Sequence, residues 1–175
     1  MPQNYLDEIK EQAAKLLNQV PQGEPLGTEL FNAISNHSIG IAFEGVCFKA
    51  INGKIYVYLT MRPKEEAYGG LWHVPGTFFR PMEDETDVAK RLCQKEYGEK
   101  FSSFHFCEDL FLPELRGGMY LARIYIIEFP GEPKPRVEGR WFNVNDLPEN
   151  IVEHHRYSII PIALNYFYLL LEASE

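Results

Sequence analysis

The sequence has few cysteines, no long hydrophobic run and no excess of positive charge, and each absence excludes a class of protein. Its three cysteines, Cys47, Cys93 and Cys107, are scattered and lack C-x-x-C spacing, so we expect no disulfide framework and a reduced, cytoplasmic setting. No apolar run approaches the ~20 residues of a membrane span. The N-terminus also lacks the basic-then-apolar order of a signal peptide, so we expect no membrane partner.

The charge balance of the chain is acidic. Its formal net charge is −8 and its pI is about 5.2, which argues against a nucleic-acid partner because the phosphate backbone attracts clustered Lys and Arg. A small phosphorylated ligand is compatible with this balance, since a few local cations or a bound metal can hold it. The 175 residues, 45% of them hydrophobic, suffice for one domain with its own core.

The first 38 residues are interpreted as an N-terminal helical extension. Apolar side chains recur at spacings of three and four through residues 4–20, which predicts an amphipathic helix. Prolines and glycines between 21 and 27 end it, and a second helix is predicted over 28–35. We expect the first helix to cover a face of the main domain. The alternative is a contact between two copies of the chain in a homodimer.

Residues 39–175 are interpreted as the main domain. Asn52-Gly53 marks a tight hairpin turn between two strands. The predicted elements are strands over 39–50 and 54–62, a helix over 84–97, strands on either side of a turn at 116–118, a strand over 139–144 and an apolar helix over 158–172. This order predicts an α/β fold in which a mixed sheet carries helices on both faces.

One stretch of the domain has the layout of a phosphate site. The loop WHVPG, Trp72–Gly76, is followed at fixed intervals by Glu83, Arg91, Glu96 and Gly98. This pattern resembles the W-x-L-P-G loop and the box of the Nudix hydrolase family. The box is usually written G-x5-E-x7-R-E-U-x-E-E-x-G-U, with U an aliphatic residue, and it aligns here without gaps.

The resemblance covers residues 39–172 and implies a Nudix-type α/β/α sandwich. The segment 140–148, with RWF at its start and DLP at its end, is similar to the strand and turn that often close such domains. The family uses Mg²⁺ or Mn²⁺ to hydrolyse a nucleoside diphosphate linked to another group. The resemblance therefore implies metal ligands at Glu83, Glu96 and the backbone carbonyl near Gly76.

The box of this chain is incomplete, or degenerate. Thr77 stands in place of its first glycine, Leu92 in place of a glutamate, and Lys95 in place of the first member of the glutamate pair, whereas Glu96 is kept. Hard cations need oxygen ligands. An ammonium ~4 Å from an ion would repel it by about 4 kcal/mol at an effective dielectric near 20, which is about three orders of magnitude in affinity. Binding of Mg²⁺ or Mn²⁺ is therefore expected to be weakened.

Five other residues have roles in this interpretation. In the family the arginine at the place of Arg91 orients a box glutamate, and Gly98 keeps the glycine that ends the helix. Arg62 and Trp72 are candidates for substrate contact, beside the alternative that Trp72 belongs to the core. His73 is a candidate general base, beside the alternative of a half-buried histidine with satisfied hydrogen bonds.

The function favoured by these residues is the binding of a nucleoside-diphosphate-type or other phosphorylated small molecule, with weak or absent hydrolysis. Lys95 would then take the place of the metal, pair with Glu96 and hold a diphosphate oxygen. The alternative is an active, divalent-metal-dependent hydrolase that cleaves a diphosphate linkage with a relocated base or an extra carboxylate. Glu44, Glu114 and Glu128 are the candidates for that carboxylate.

Overall fold

The chain divides into two compact units. A computed structural model describes residues 3–22, 25–113, 119–135 and 137–173. The first unit comprises residues 1–38 with 80–82, and the second comprises 39–79 with 83–175. Glu114 and the predicted turn at 116–118 lie outside the described residues. Within the described ranges, every helix is too short or too polar to cross a membrane.

The first unit is helical, as the sequence pattern predicts. Helix α1 spans Gln3–Leu17 and helix α2 spans Thr28–Ser35. The second helix has the predicted bounds, whereas α1 ends three residues before the predicted end at residue 20. The apolar side chains of α1, including Leu6 and Leu16, are exposed. Its role as a cover or as a dimer contact stays a prediction.

The second unit contains two four-stranded sheets. Its strands are β1 (Ile41–Val46), β2 (Phe48–Ile51), β3 (Lys54–Met61), β4 (Trp72–His73), β5 (Gly76–Phe78), β6 (Ser103–Pro113), β7 (Met119–Glu128) and β8 (Gly139–Asn143). The first sheet has the order β5-β1-β7-β6, and in the second sheet β3 pairs with β2, β4 and β8. Strands β1 and β7 are parallel and β1 and β5 antiparallel, so the first sheet is mixed, as predicted.

The segment 39–50 forms two strands, and the prediction of a single strand was wrong. The chain leaves the first sheet after β1, passes through Cys47 and enters the second sheet as β2. Only β2 forms the hairpin with β3, through Asn52 and Gly53 with φ of 51° and 73°. Both halves of the segment are apolar and rich in strand-forming residues, so composition does not mark the point where the chain changes sheets.

Two hydrophobic cores lie on opposite faces of β1. Helix α3 (Glu85–Leu92) packs in the core that contains Phe43, whose ring stacks on Tyr125 with 4.0 Å between ring centroids. Helix α4 (Ile160–Glu172) packs in the core that contains Val46. Residues 43 and 46 point to opposite faces because side chains alternate along a strand. The mixed sheet thus carries a helix on each face.

The helix predicted over 84–97 changes its geometry halfway. Asp84 caps the N-terminus of α3, because its Oδ1 accepts a hydrogen bond of 2.9 Å from the backbone N–H of Asp87. After Leu92 the chain continues as a π-helical turn, Cys93–Tyr97, and ends at Gly98 with φ of 65°. Wide turns of this kind are frequently found at functional sites, and this one carries Lys95 and Glu96 of the box.

Replacing Gly98 by alanine is expected to destabilise the fold more than the same change at Gly53. Both glycines have positive φ, so each alanine costs about 1–2 kcal/mol of backbone strain. A Cβ at Gly98 would also overlap the carbonyl oxygen of Lys134, whereas a Cβ at Gly53 meets nothing within 4 Å. Urea denaturation of Gly98→Ala and Gly53→Ala measures the two losses, and equal losses would contradict the predicted close approach.

Candidate functional site

Arg91 joins helix α3 to the loop that precedes it. Its guanidinium donates hydrogen bonds of 2.6 Å to each carboxylate oxygen of Glu83, and bonds of 2.8 Å to Thr77 Oγ1 and to the carbonyl of Phe78. Bidentate bonds of this kind are the strong ones in proteins. The hydroxyl of Thr77, at the position where the family has glycine, is thus an additional anchor for the arginine.

Leu92 takes no part in binding a polar group. Its side chain is fully buried in the core with Phe43, and a Cβ at Gly45 would approach its Cδ2 to 3.0 Å. The neighbouring Cys93 is also buried, and burial raises the pKa of its thiol to about 12. These two box positions therefore pack the helix on β1 and offer no oxygen ligand.

Lys95 and Glu96 form an ion pair on the π-helical turn. The Lys95 Nζ lies 3.0 Å from Glu96 Oε1. The lysine side chain is 65% exposed and the glutamate side chain 13%, so the carboxylate anchors an ammonium that faces solvent. The structure thus places a cation directly on the box carboxylate that the sequence retains.

A divalent ion does not fit the donors of this box. Both oxygens of Glu83 accept from Arg91, Glu96 is paired with Lys95, and Leu92 has no donor atom. Within the described ranges, no group of three or more His, Cys, Asp or Glu side chains is placed to hold a metal ion. Mg²⁺ takes oxygen ligands in near-ideal octahedral geometry, and a side-chain set of this composition cannot supply them without breaking both ion pairs.

Glu44 points away from the box helix. Gly45 faces Leu92, and side chains alternate along a strand, so Glu44 projects to the opposite face of β1. There its carboxylate lies against Gly76, where an added Cβ would overlap it, and Glu44 Oε1 lies 3.5 Å from the Tyr120 hydroxyl. Glu44 therefore cannot replace the missing helix carboxylate from this position.

Glu128, another candidate for that carboxylate, lies on the surface. Its side chain is 51% exposed, its Oε2 lies 3.9 Å from His105 Nε2, and it accepts a hydrogen bond from the Ser103 hydroxyl. These contacts hold Glu128 at the end of β7, opposite Ser103 of β6. Glu114, the third candidate, lies outside the described residues.

His73 belongs to a buried polar cluster. Its side chain is 6% exposed and its Nε2 lies 3.1 Å from Thr60 Oγ1. Burial and, to a smaller extent, the charges of Arg62 and Lys95 lower the pKa of His73 to about 3, whereas a hydrogen bond with the backbone of Val74 acts to raise it. The ring is therefore neutral near pH 7 and enclosed, which argues against the catalytic role expected from the sequence and favours a packing role.

The positive charge of Arg62 influences the pKa of several titratable side chains in this cluster: Glu44, His73, His154 and His155. Burial first, and then the charge of Arg62, lowers the pKa of His154 to about 4, and both also lower the pKa of His155 well below its usual value. Burial raises the pKa of Glu44 to about 8, and the charge of Arg62 opposes that rise. The outer nitrogen of Arg62 lies 3.4 Å from Glu66 Oε2, so the guanidinium spans from the surface to the cluster.

The remaining predicted residue, Trp72, is a core residue. It is 5% exposed, and its ring packs edge-on against Phe142 at 4.8 Å between centroids. The expected sites therefore separate into three places. Glu83 and Arg91 are paired at α3, Lys95 and Glu96 are paired on the π-helical turn after it, and Arg62 and His73 belong to the buried cluster.

Tyr68 is one of the cluster residues to which sequence reasoning gave no role. Its backbone φ is 60°, a value that is unusual for a residue other than glycine. Its ring packs edge-on against His154 at 5.7 Å between centroids. No motif marks this tyrosine, and the only signal in the sequence is its position before Gly69-Gly70, where a left-handed turn is common.

A separate groove of about 450 Å³ opens beside Trp141. Lys49 Nζ lies 4.1 Å from the Trp141 ring centroid and 3.0 Å from Glu132 Oε1, and Trp141 Nε1 donates a 2.6 Å bond to Glu132 Oε2. Lys49, Trp141 and Glu132 therefore satisfy one another. Among the described residues that line the groove, none has a buried side-chain polar atom without a partner.

Comparisons with solved structures identify the fold, whereas comparisons of sequence give no match. No protein-family model matches the chain, and no curated protein is similar enough in sequence to count as a relative. Solved structures do match. The MutT NUDIX hydrolase from Burkholderia pseudomallei superposes with a TM-score of 0.58 at 22% identity, over 70% of this chain and 96% of that one.

Two further structures match in the same way. The NUDIX domain of Shewanella oneidensis NrtR, solved with ADP ribose, gives a TM-score of 0.58 at 16% identity over 88% of this chain and 97% of that one. The C. elegans Ap4A hydrolase gives a TM-score of 0.56 at 18% identity, over 78% of this chain and 100% of that one. These similarities confirm the Nudix-type fold expected from the box, and at such identities they show the fold alone.

Replacing Glu44 by glutamine is expected to change the pH dependence of stability. The pKa of Glu44 rises from its ordinary 4.5 to about 8 on folding. Between these values the folded chain keeps a proton that the unfolded chain has lost, so this residue lowers the free energy of unfolding as pH rises. Glutamine does not titrate. The stability of Glu44→Gln relative to wild type should therefore increase from pH 5 to pH 8, by at most about 1.4 kcal/mol per pH unit.

Urea denaturation at pH 5, 6.5 and 8 measures this difference. The exposed Glu128→Gln is the matched control, and its stability should track wild type across the range. If Glu44→Gln also tracks wild type, then Glu44 is ionised in the folded chain and paired with Arg62.

Proposed function

We propose that this chain binds a phosphorylated small molecule of the nucleoside-diphosphate type, with Lys95 in the place of a metal ion and with weak or absent hydrolysis. The observation that carries the proposal is the ion pair of 3.0 Å between Lys95 and Glu96. A carboxylate that would coordinate an ion instead orients an ammonium, and an ammonium is itself a partner for phosphate oxygens.

The position of Lys95 supports a role in ligand binding. Its side chain is 65% exposed, so a ligand from solvent can reach the ammonium. Its charge also contributes, after burial and Arg62, to lowering the pKa of His73 in the WHVPG loop, so the ammonium is near enough for its charge to act there. In an acidic chain of net charge −8, such a local cation is what an anionic ligand requires.

The ligand class is suggested by the fold. The NUDIX domain of NrtR, which shares the fold, was solved with ADP ribose. That compound carries a diphosphate between two organic groups, which is the linkage that the resemblance to the family implies. ADP ribose is therefore the first probe for this chain.

Weak hydrolysis follows from the donors present. Hydrolysis of a diphosphate in this family depends on divalent ions, which lower the pKa of bound water and neutralise the charge that develops on the phosphate oxygens. An ammonium can neutralise charge, but it does not generate hydroxide. The His73 ring, buried and neutral, is enclosed away from solvent and does not replace that function.

Binding without a metal is the first expected outcome. Titration calorimetry with ADP ribose should give the same affinity in EDTA and in Mg²⁺. The variant Lys95→Met should bind about tenfold to a hundredfold more weakly, because a hydrogen bond to a charged group contributes about 1.5–3 kcal/mol. The matched control is Lys90→Met on the same helix, where an exposed lysine lies 3.8 Å from Asp87, and its affinity should equal that of wild type.

Two results would overturn the proposal. One is binding that appears only with Mg²⁺ or Mn²⁺, which would show that the ion is the ligand's partner. The other is an equal loss of affinity in the Lys95→Met and Lys90→Met variants. That result would show that Lys95 acts only through the overall charge of the protein and not through a contact with the ligand.

Hydrolysis is tested separately. Phosphate-release assays on a panel of nucleoside diphosphate derivatives, with Mg²⁺ or Mn²⁺, should give rates for wild type that match those of Glu96→Gln. Rapid turnover that Glu96→Gln abolishes would instead establish the active, metal-dependent hydrolase.

A further inference from the structure

The buried polar cluster around Arg62 contains two polar atoms without partners. Glu44 Oε2 and Arg62 Nε are both buried, and neither has a hydrogen-bond partner in the part of the chain that the structure describes. Glu44 itself is only 5% exposed. Folded proteins leave very few such atoms, because each has lost its water without gaining a bond. A carboxyl oxygen and a guanidinium N–H in one cluster therefore indicate that something else completes them.

Aromatic and imidazole rings line the same cluster. The Tyr120 hydroxyl lies 3.5 Å from Glu44 Oε1 and 3.3 Å from His154 Nε2. The His154 ring packs edge-on against Tyr120 at 6.2 Å and against Tyr68 at 5.7 Å between centroids. The cluster thus combines a donor and an acceptor with flat rings, which is the combination that a planar polar group requires.

One side of the cluster reaches the surface. Arg62, Tyr68 and His154 are each half-buried, and Arg62 is held at its outer nitrogen by Glu66 at 3.4 Å. Tyr68 adopts a left-handed φ of 60°, and strained backbone of this kind collects at ligand clamps and active sites. A ligand would therefore approach past these three residues toward Glu44.

We propose that Glu44 and Arg62 recognise the heterocyclic end of the ligand, a planar ring whose edge presents an N–H beside a carbonyl or ring nitrogen. Glu44 Oε2 accepts from the N–H, and Arg62 Nε donates to the neighbouring acceptor. Tyr68 and His154 flank the ring. This inference rests on the proposed function, since it assigns the second half of a ligand whose diphosphate Lys95 holds. The charges of Lys95 and Arg62 both act on His73, which connects the two places.

The two sites make different demands on a ligand, and this difference provides the test. Lys95 contacts only the diphosphate, so inorganic pyrophosphate is a probe of that site alone. Uridine diphosphate and adenosine diphosphate add a heterocycle. Wild type should bind at least one of these nucleotides more tightly than pyrophosphate.

Binding is measured at pH 8.5, because the pKa of Glu44 is raised to about 8 and only the ionised carboxylate is purely an acceptor. The variant Glu44→Gln should then reduce this advantage about tenfold and leave the affinity for pyrophosphate unchanged. The order of preference between uridine and adenosine diphosphate should also change, because glutamine presents both a donor and an acceptor. Glu128→Gln is the control and should behave as wild type. Tyr68→Ala changes a half-buried residue at the entrance, and it should also lower nucleotide affinity without lowering pyrophosphate affinity.

The results separate this inference from the proposed function. If pyrophosphate binds but neither Glu44→Gln nor Tyr68→Ala changes the advantage of the nucleotides, the recognition site is refuted and the role of Lys95 stands. If neither pyrophosphate nor any nucleotide binds, both are refuted. An equal loss for pyrophosphate and nucleotides in Glu44→Gln would mean that the variant disturbs the fold as a whole; the inference then depends on Tyr68→Ala, and an equal loss there refutes it.

Discussion

The geometry of the box depends on the guanidinium of Arg91. It bonds to both oxygens of Glu83, to the Thr77 hydroxyl and to the Phe78 carbonyl, and so it fixes β5 and Glu83 against the last turn of α3. The same bonds that position the helix thus engage both carboxylate oxygens of Glu83.

The other charged residues of the site supply positive charge from side chains, where a divalent ion is disfavoured. At the end of the helix this charge belongs to the Lys95 ammonium, which pairs with Glu96. In the buried cluster it belongs to Arg62, surrounded by neutral imidazoles and a carboxyl whose pKa is raised. The charges of Lys95 and Arg62 both act on His73, and an anionic ligand with a polar ring matches this distribution.

Local signals in the sequence predicted the local structure, and long-range contacts escaped them. The cap at Asp84 and the glycine at Gly98 bound the helix where the sequence predicts it, because capping involves neighbours in the chain. The change of sheet at Cys47 was not predicted, since pairing partners are chosen by tertiary packing. The contact between Glu44 and Tyr120 was also not predicted, because it joins two strands that are far apart in sequence and side-chain direction needs a known register.

The π-helical turn at Cys93–Tyr97 determines what a change of side chain alone could achieve in the box. Lys95 and Glu96 lie on this wide turn, whereas Leu92 is the last residue of α3, and a wide turn alters the angular offset between successive side chains. An acid at position 92 would lie in the core beside Phe43. An oxygen ligand at that position would thus need a different packing of the helix on β1 as well as a different side chain.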